Sequence, residues 1–257
     1  MEKRLAYLWT ALNLIGFAAM VTINYLANSL PIGGRTTGEV SAMFPVLVTP
    51  ASYAFSIWGL IYLLLACFIV IQLIPRKRNV PLITMIGPWF FVSCLFNIFW
   101  IFLWHYLYIV SAMFIMIGIL ITLSVIYQRI HYYNTRVERL NRVERLCYLL
   151  PFSIYLAWIS VATIVNISIG LEVLNWDRWG LRDEFWAVAV LALAAGLALY
   201  FGSRYTDIAF MLVIIWALTA IGVQQSGLVS QTAYLLSAVL IVSAFIFLYR
   251  RHRVRLP

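Results

Sequence analysis

Eight long apolar runs alternate with short polar punctuation along the chain: Leu5–Leu30, Ala51–Ile74, Leu82–Trp104, Tyr106–Tyr127, Leu146–Leu171, Phe185–Gly202, Ile208–Gln224 and Thr232–Tyr249. Most are close to the roughly 20 residues that a helix needs to cross hydrocarbon. A lipid-facing barrel strand would alternate polar and apolar positions, which these runs do not. A helix satisfies every backbone N–H and C=O within its own segment, as hydrocarbon demands. The pattern predicts an all-α, polytopic integral membrane helical bundle with about eight transmembrane helices. Its narrowest divisions fall at His105, where almost no loop separates two runs, and around Arg204.

Composition agrees. Apolar residues make up 64% of the 257 positions and charged ones 11%, where a soluble domain carries roughly 25% charged. A water-soluble core of this size could not hide that much apolar surface, so the solvent is lipid. Disorder and a disulfide scaffold are excluded on the same ground. The net charge of +9 would suggest a polyanion partner until the cations are located. Fifteen of the 18 fall at the ends of runs that share one side under alternating threading, with only Arg35, Arg178 and Arg182 opposite. This is the positive-inside pattern, and it predicts cytoplasmic termini in a plasma-membrane protein. The basic charge is then topogenic, and no nucleic-acid partner is implied. The first run is longer than a signal peptide's apolar region and is interrupted by Asn13, Asn24 and Asn28, which predicts a retained helix.

The connections carry further signals. The predicted exterior loop Pro31–Pro50 is long for a bundle, as a functional lid or a plain tether would be. A tandem match, Arg136–Leu140 and Arg142–Leu146, places Glu138 and Arg142 at i, i+4 and predicts a short helix on the inner surface. Ala192 and Gly196 form a small-xxx-small pair expected to pack closely against a neighbour. Asp207 beside Arg204 is expected either to pair with it or to cap a helix. Gln224 and Gln225 read as interfacial residues, or as lining for a cavity. Cys67, Cys94 and Cys147 have no ligand-like spacing and read as small core residues.

The predicted interior holds no Lys, Arg, Asp, Glu or His near the middle of any run. Ion-coupled pumps normally place such a group at mid-depth. No paired carboxylates, nucleophile triad, phosphate loop or metal-ligand spacing is present, so no catalytic residue, no metal site and no required cofactor is assigned. What remains is aromatics and amides at helical spacing: Phe55, Trp58 and Tyr62; Asn97 and Trp100; and Trp158, Ala162 and Asn166. Large flat side chains beside a small Ala and an amide can build a slot for a flat ligand with one polar handle. Spacing alone is also explained by interfacial anchoring of Trp and Tyr and by amide bonds between helices.

The fifth run reads Pro151, Tyr155, Trp158, Ala162, Asn166, then Leu174-Asn175. It resembles the fifth helix of the TspO/MBR family, the tryptophan-rich sensory proteins and translocator proteins. Pro50, Trp58 and Tyr62 resemble that family's second-helix block, and Asn97 with Trp100 its Leu-Asn-x-x-Trp segment. Thr49-Pro50 stands where the family has two prolines, and Ser52-Tyr53 where it has a further Trp. The resemblance implies a compact five-helix bundle over 1–175, with a cavity lidded by the first exterior loop, and a three-helix extension over 176–257. It also implies a flat hydrophobic ligand, most simply a tetrapyrrole such as protoporphyrin IX, for sensing, sequestration or translocation. The ligand-binding positions it implies are Trp58, Tyr62, Trp100 and Trp158 as aromatic wall, Ala162 as floor, and Asn97 and Asn166 as the polar network beneath the lid. A small-molecule permease using all eight helices is the alternative. The expected partners are the bilayer and the porphyrin-like ligand. The extension is left as an extra layer, a homodimer interface or half of a transport path.

Overall fold

The computed structural model describes residues 2–30 and 32–253, the last three by backbone alone. Pro31 of the predicted loop, Arg255, and the side chains of Arg251, His252 and Arg253 therefore lie outside the described residues. Among those described there is no strand. The helices are α1 (Glu2–Ser29), α2 (Thr37–Ala42), α3 (Ile57–Leu73), α4 (Val80–Ile86), α5 (Trp89–His105), α6 (Ile109–Tyr132), α7 (Arg142–Glu144), α8 (Leu150–Val173), α9 (Asp183–Tyr205), α10 (Ile208–Gln224) and α11 (Gly227–Arg253). A wide π-type turn, Arg145–Leu149, joins α7 to α8, giving one 32-residue helical segment.

All eight predicted runs are helical, with two refinements. Six helical segments are long and apolar enough to cross a membrane, or seven if α4 and α5 form one broken span; α10 is shorter. The third run is not one straight helix. Gly87, at φ 56° and ψ −131°, ends α4, and Pro88, which has no N–H to continue the ladder, starts a new axis bent by 45°. Between α5 and α6 only Tyr106–Tyr108 intervene, turned by Leu107 at φ 63°.

The chain divides into two compact units, 1–40 with 56–156 and 41–55 with 157–257, so α8 contributes its first turns to one and the remainder to the other. In the first unit α1 packs against α3, α4 and α5, and α5 pairs with α6. The buried stripe of α1 is Ala6, Thr10, Asn13, Gly16, Met20, Asn24 and Ala27, spaced three and four apart, while Leu8, Leu14 and Ile15 face outward. Small and polar residues inward with large apolar ones outward is the arrangement that lipid favours. Asn13 donates to Gln72 Oε1 at 3.2 Å, an amide bond joining α1 and α3. Beside it Phe68, Phe90, Phe152 and Tyr148 pack edge to face, with centroids 4.9–5.8 Å apart. Among the described residues no Lys, Arg, Asp or Glu is buried.

In the second unit α9, α10 and α11 pack pairwise. The buried face of α9 is Ala187, Leu191, Ala194, Ala195, Ala198 and Gly202, whereas Ala192 and Gly196 are exposed. The small residues expected to pack are thus on the wrong face: spacing identifies a stripe but not the side on which a neighbour lies. Asp207 proves to be a cap, accepting from Phe210 N at 3.1 Å.

The tandem segment is not a surface helix. Glu138 is extended, at φ −150°, and accepts from the Tyr133 hydroxyl at 3.0 Å, so it does not stand one turn before Arg142. Asn141 explains the restart. Its side chain accepts from Val143 N and Glu144 N, and Glu144 accepts from Asn141 N, a reciprocal capping box that nucleates α7 in continuity with α8.

Candidate functional site

Four of the seven expected ligand-binding residues lie in the first unit. Trp58 stacks on Tyr62 at 5.5 Å and meets Tyr155 edge to face at 5.7 Å. Asn97 donates to the Tyr155 hydroxyl at 3.2 Å and accepts from Asn24 Nδ2 at 2.7 Å. Tyr155 therefore gathers Trp58, Tyr62 and Asn97 into one aromatic–amide group. Asn97, Tyr155 and Asn24 are all buried. The Tyr62 hydroxyl is buried too, and it has no hydrogen-bond partner among the described residues. An isolated buried donor costs roughly 1–3 kcal/mol.

Trp100 stacks on Trp104 at 5.5 Å, one turn along the same helix. That pair leads to the first half of the loop. Trp104 Nε1 donates to Thr37 O at 3.2 Å, His105 Nε2 lies 3.1 Å from Thr37 Oγ1, and His105 Nδ1 lies 2.9 Å from Ile32 O. Gly33, at φ 69°, makes this approach feasible, since a Cβ there would come within 2.8 Å of the His105 carbonyl oxygen. Residues 32–40 are thus strapped to the end of α5 by Trp104 and His105, of which the sequence marked only His105, and that as a break between runs.

The other three expected residues, Trp158, Ala162 and Asn166, belong to the second unit and share a face of α8. Phe55 meets Trp158 edge to face at 5.9 Å; it stands in a 3₁₀ turn before α3, not on the helix with Trp58 and Tyr62. Asn166 Nδ2 bonds back to Ala162 O at 2.9 Å. Trp158 is buried and its indole N–H has no hydrogen-bond partner among the described residues. The second half of the loop is held within this unit: Ala51 N donates to Ala220 O at 3.0 Å, Gln225 Nε2 to Thr49 O at 3.0 Å, and Trp216 Nε1 to Ala54 O at 3.2 Å.

None of the seven lines the apolar hollow of about 300 Å³ in the second unit. Ile164, Ile167, Ser168 and Leu171 of α8 wall it, with Ala187, Val190 and Leu193 of α9 and the loop residues Pro45, Val46, Leu47 and Val48. At 100° per residue the Ile164, Ile167 and Leu171 face of α8 lies about 170° around from Trp158, Ala162 and Asn166. Trp176, Trp186, Glu172, Arg178 and Asp183 also line it. A more open hollow of about 550 Å³ in the first unit is rimmed by Arg76, Lys77, Asn79, Tyr133, Glu138 and Glu144. Its uncharged polar groups are already engaged: Asn79 donates to Glu144 at 2.9 Å, and Tyr133 donates to Glu138.

These features define an integral, multi-pass helical membrane protein whose interior is joined by amides and aromatic rings. A family model described as TSPO-like protein matches residues 10–246, and the chain belongs to that TspO/MBR family. The match continues through α9 and α10 and most of α11, where the sequence blocks described above are silent. No curated protein and no solved structure matches the chain.

Proposed function

We propose that the protein binds a flat hydrophobic ligand, with a tetrapyrrole such as protoporphyrin IX the best match, for sensing, sequestration or translocation. The contacting residues in this reading are those that the first unit holds, Trp58, Tyr62, Asn97 and Trp100, with residues 32–40 as lid and the cation-rich ends in the cytoplasm. One observation carries it: the buried Tyr62 hydroxyl lies in a wall of rings formed with Trp58 and Tyr155 and has no hydrogen-bond partner among the described residues. A planar ligand with a carbonyl or carboxylate edge needs ring faces for its body and one donor for its handle. Family membership supports the same reading.

Quenching of intrinsic Trp fluorescence by protoporphyrin IX in detergent tests it. Saturable quenching is expected for the wild type. Tyr62→Phe keeps the ring and removes one donor, so about 1 kcal/mol, or roughly fivefold in Kd, is expected to be lost. Trp58→Ala removes a ring face of the same wall and should weaken binding at least as much. Absence of saturation, or equal affinity in all three proteins, would remove the site.

A further inference from the structure

The hollow between α8 and α9 has walls, a rim and a charge that together specify a different ligand. We infer that it binds an amphipathic organic cation, a hydrophobic amine whose apolar body fills the slot and whose ammonium sits at the rim. The body is set by the walls. The wall is isoleucine, leucine, valine, alanine and proline apart from Ser168, whose hydroxyl already donates to Ile164 O at 2.9 Å, and about 300 Å³ is at the small end of ligand pockets, which suits one or two fused rings and excludes a tetrapyrrole.

The charge is set by the rim. Arg178 bridges Glu172 at the end of α8 and Asp183 at the start of α9, the Nε–Oδ1 contact to Asp183 being 2.5 Å. Two carboxylates against one guanidinium leave the rim one unit negative. Among the described residues neither Glu172 Oε1 nor Asp183 Oδ2 is hydrogen-bonded, so each keeps a free acceptor. The wider segment from 172 to 184 holds Glu172, Asp177, Asp183 and Glu184 against Arg178 and Arg182. Four of the chain's nine acidic residues thus sit in one short stretch of a protein whose net charge is +9. An anionic head would be repelled here, and a neutral one would leave the carboxylates unused.

The rim is also held in place. Trp186 Nε1 donates to the Arg178 carbonyl at 3.0 Å, and the Asp177 carboxylate accepts from Trp179 N at 3.0 Å. Trp176 and Trp186, centroids 4.9 Å apart, line the hollow. Their π faces attract an ammonium that carboxylates also attract. Acidic oxygens, indole faces and an apolar slot converge on one chemical class.

Three probes that share a ring and differ in charge test this: 2-(1-naphthyl)ethylamine, 1-naphthylacetate and 1-ethylnaphthalene. Equilibrium binding is measured on the full chain in phosphatidylcholine nanodiscs, with empty nanodiscs subtracted. Saturable binding of the amine is expected, about tenfold tighter than either other probe. Glu172→Gln combined with Asp183→Asn makes the rim positive through the unpaired Arg178, so the order of amine and acid should reverse. Val190→Trp fills the slot and should abolish amine binding without touching a charge. Tyr62→Phe should leave amine binding unchanged, which separates this site from the one proposed for a flat ligand. Equal binding of amine and acid, no reversal in the double variant, or undiminished amine binding in Val190→Trp would each overturn the assignment.

Discussion

The aromatic–amide group of the first unit and the α8–α9 hollow of the second set polar against apolar groups to opposite ends. In the first, Asn24, Asn97 and Tyr155 bond to one another, and the rings of Phe68, Phe90 and Phe152 pack edge to face with centroids 4.9–5.8 Å apart. In the second, branched aliphatic side chains from two helices stop short of each other, and charged groups stand at the edge. The lesson concerns where polarity sits relative to packing. Polar groups that satisfy one another draw helices together. Polar groups held at a rim by a folded-back loop leave the apolar space behind them open.

The largest expected consequence is a difference in what truncation costs. Phe152→Ala opens a cavity among fully buried rings. In lipid the transfer term largely cancels, because an unpacked side chain stays in hydrocarbon, so the cavity term dominates. About 2–3 kcal/mol is expected, below the range for soluble cores. Ile167→Ala only enlarges an existing hollow and should cost less than about 1 kcal/mol. Reversible unfolding in mixed detergent micelles measures both. Equal losses would mean that the two regions are packed alike.

A smaller effect isolates the amide chain. Asn97→Ala takes the amide donor from the Tyr155 hydroxyl and leaves Asn24 Nδ2 with only its bond to Met20 O, for which about 1–2 kcal/mol is expected. Tyr155→Phe removes one bond and strands a single N–H, for about half that. Because the residues share a network, the double variant should be little worse than Asn97→Ala alone. Strict additivity, read from the same unfolding curves, would show that the bonds stabilise independently.

How much of this was legible beforehand follows from what each signal measures. Run length and hydropathy depend on lipid alone, so all eight helical segments could be read, as could the family through Trp58, Asn97 and Trp158. The break at Gly87-Pro88 was written in the chain but lay inside an unbroken apolar run, and apolarity says nothing about axis direction. The buried face of α9 was missed because Ala192 and Gly196 match a spacing rule that is blind to the neighbour's position. Tyr155 lay inside a recognised block, yet its role as hub depends on Asn97 and Trp58, which are far from it in sequence. The rim of Arg178, Trp176 and Trp186 depends on Asn175, Arg178 and Trp179 taking positive φ, from 53° to 56°, which no periodicity reports. Four acids and three tryptophans between 172 and 186 were the available hint.

The loop joining the units offers the finest distinction, because its two halves are held by different chemistry. Residues 49–54 are tied to the second unit by bonds from Ala51 N, Gln225 and Trp216, none of which titrates. Within 32–40 the exposed Glu39 carboxylate accepts from Thr36 N at 2.7 Å and from the Thr36 hydroxyl at 3.0 Å. Those bonds, the backbone one foremost, hold its pKa below the usual carboxylate value, and Arg35 acts in the same direction. A depressed folded-state pKa means that the contribution is present above the unfolded value and fades as pH falls through the folded one. Amide protection of Thr36 should therefore decline on acidification through that range in the wild type. In Glu39→Gln it should already be low and show little pH dependence, with global unfolding unchanged. Hydrogen exchange, expressed as protection factors so that the intrinsic chemical rate cancels, reads this directly. The amides of Ala51 and Ala54, bonded to backbone carbonyls, should stay level over the same range. A parallel decline there would show that acid loosens the whole loop and not the carboxylate-capped turn.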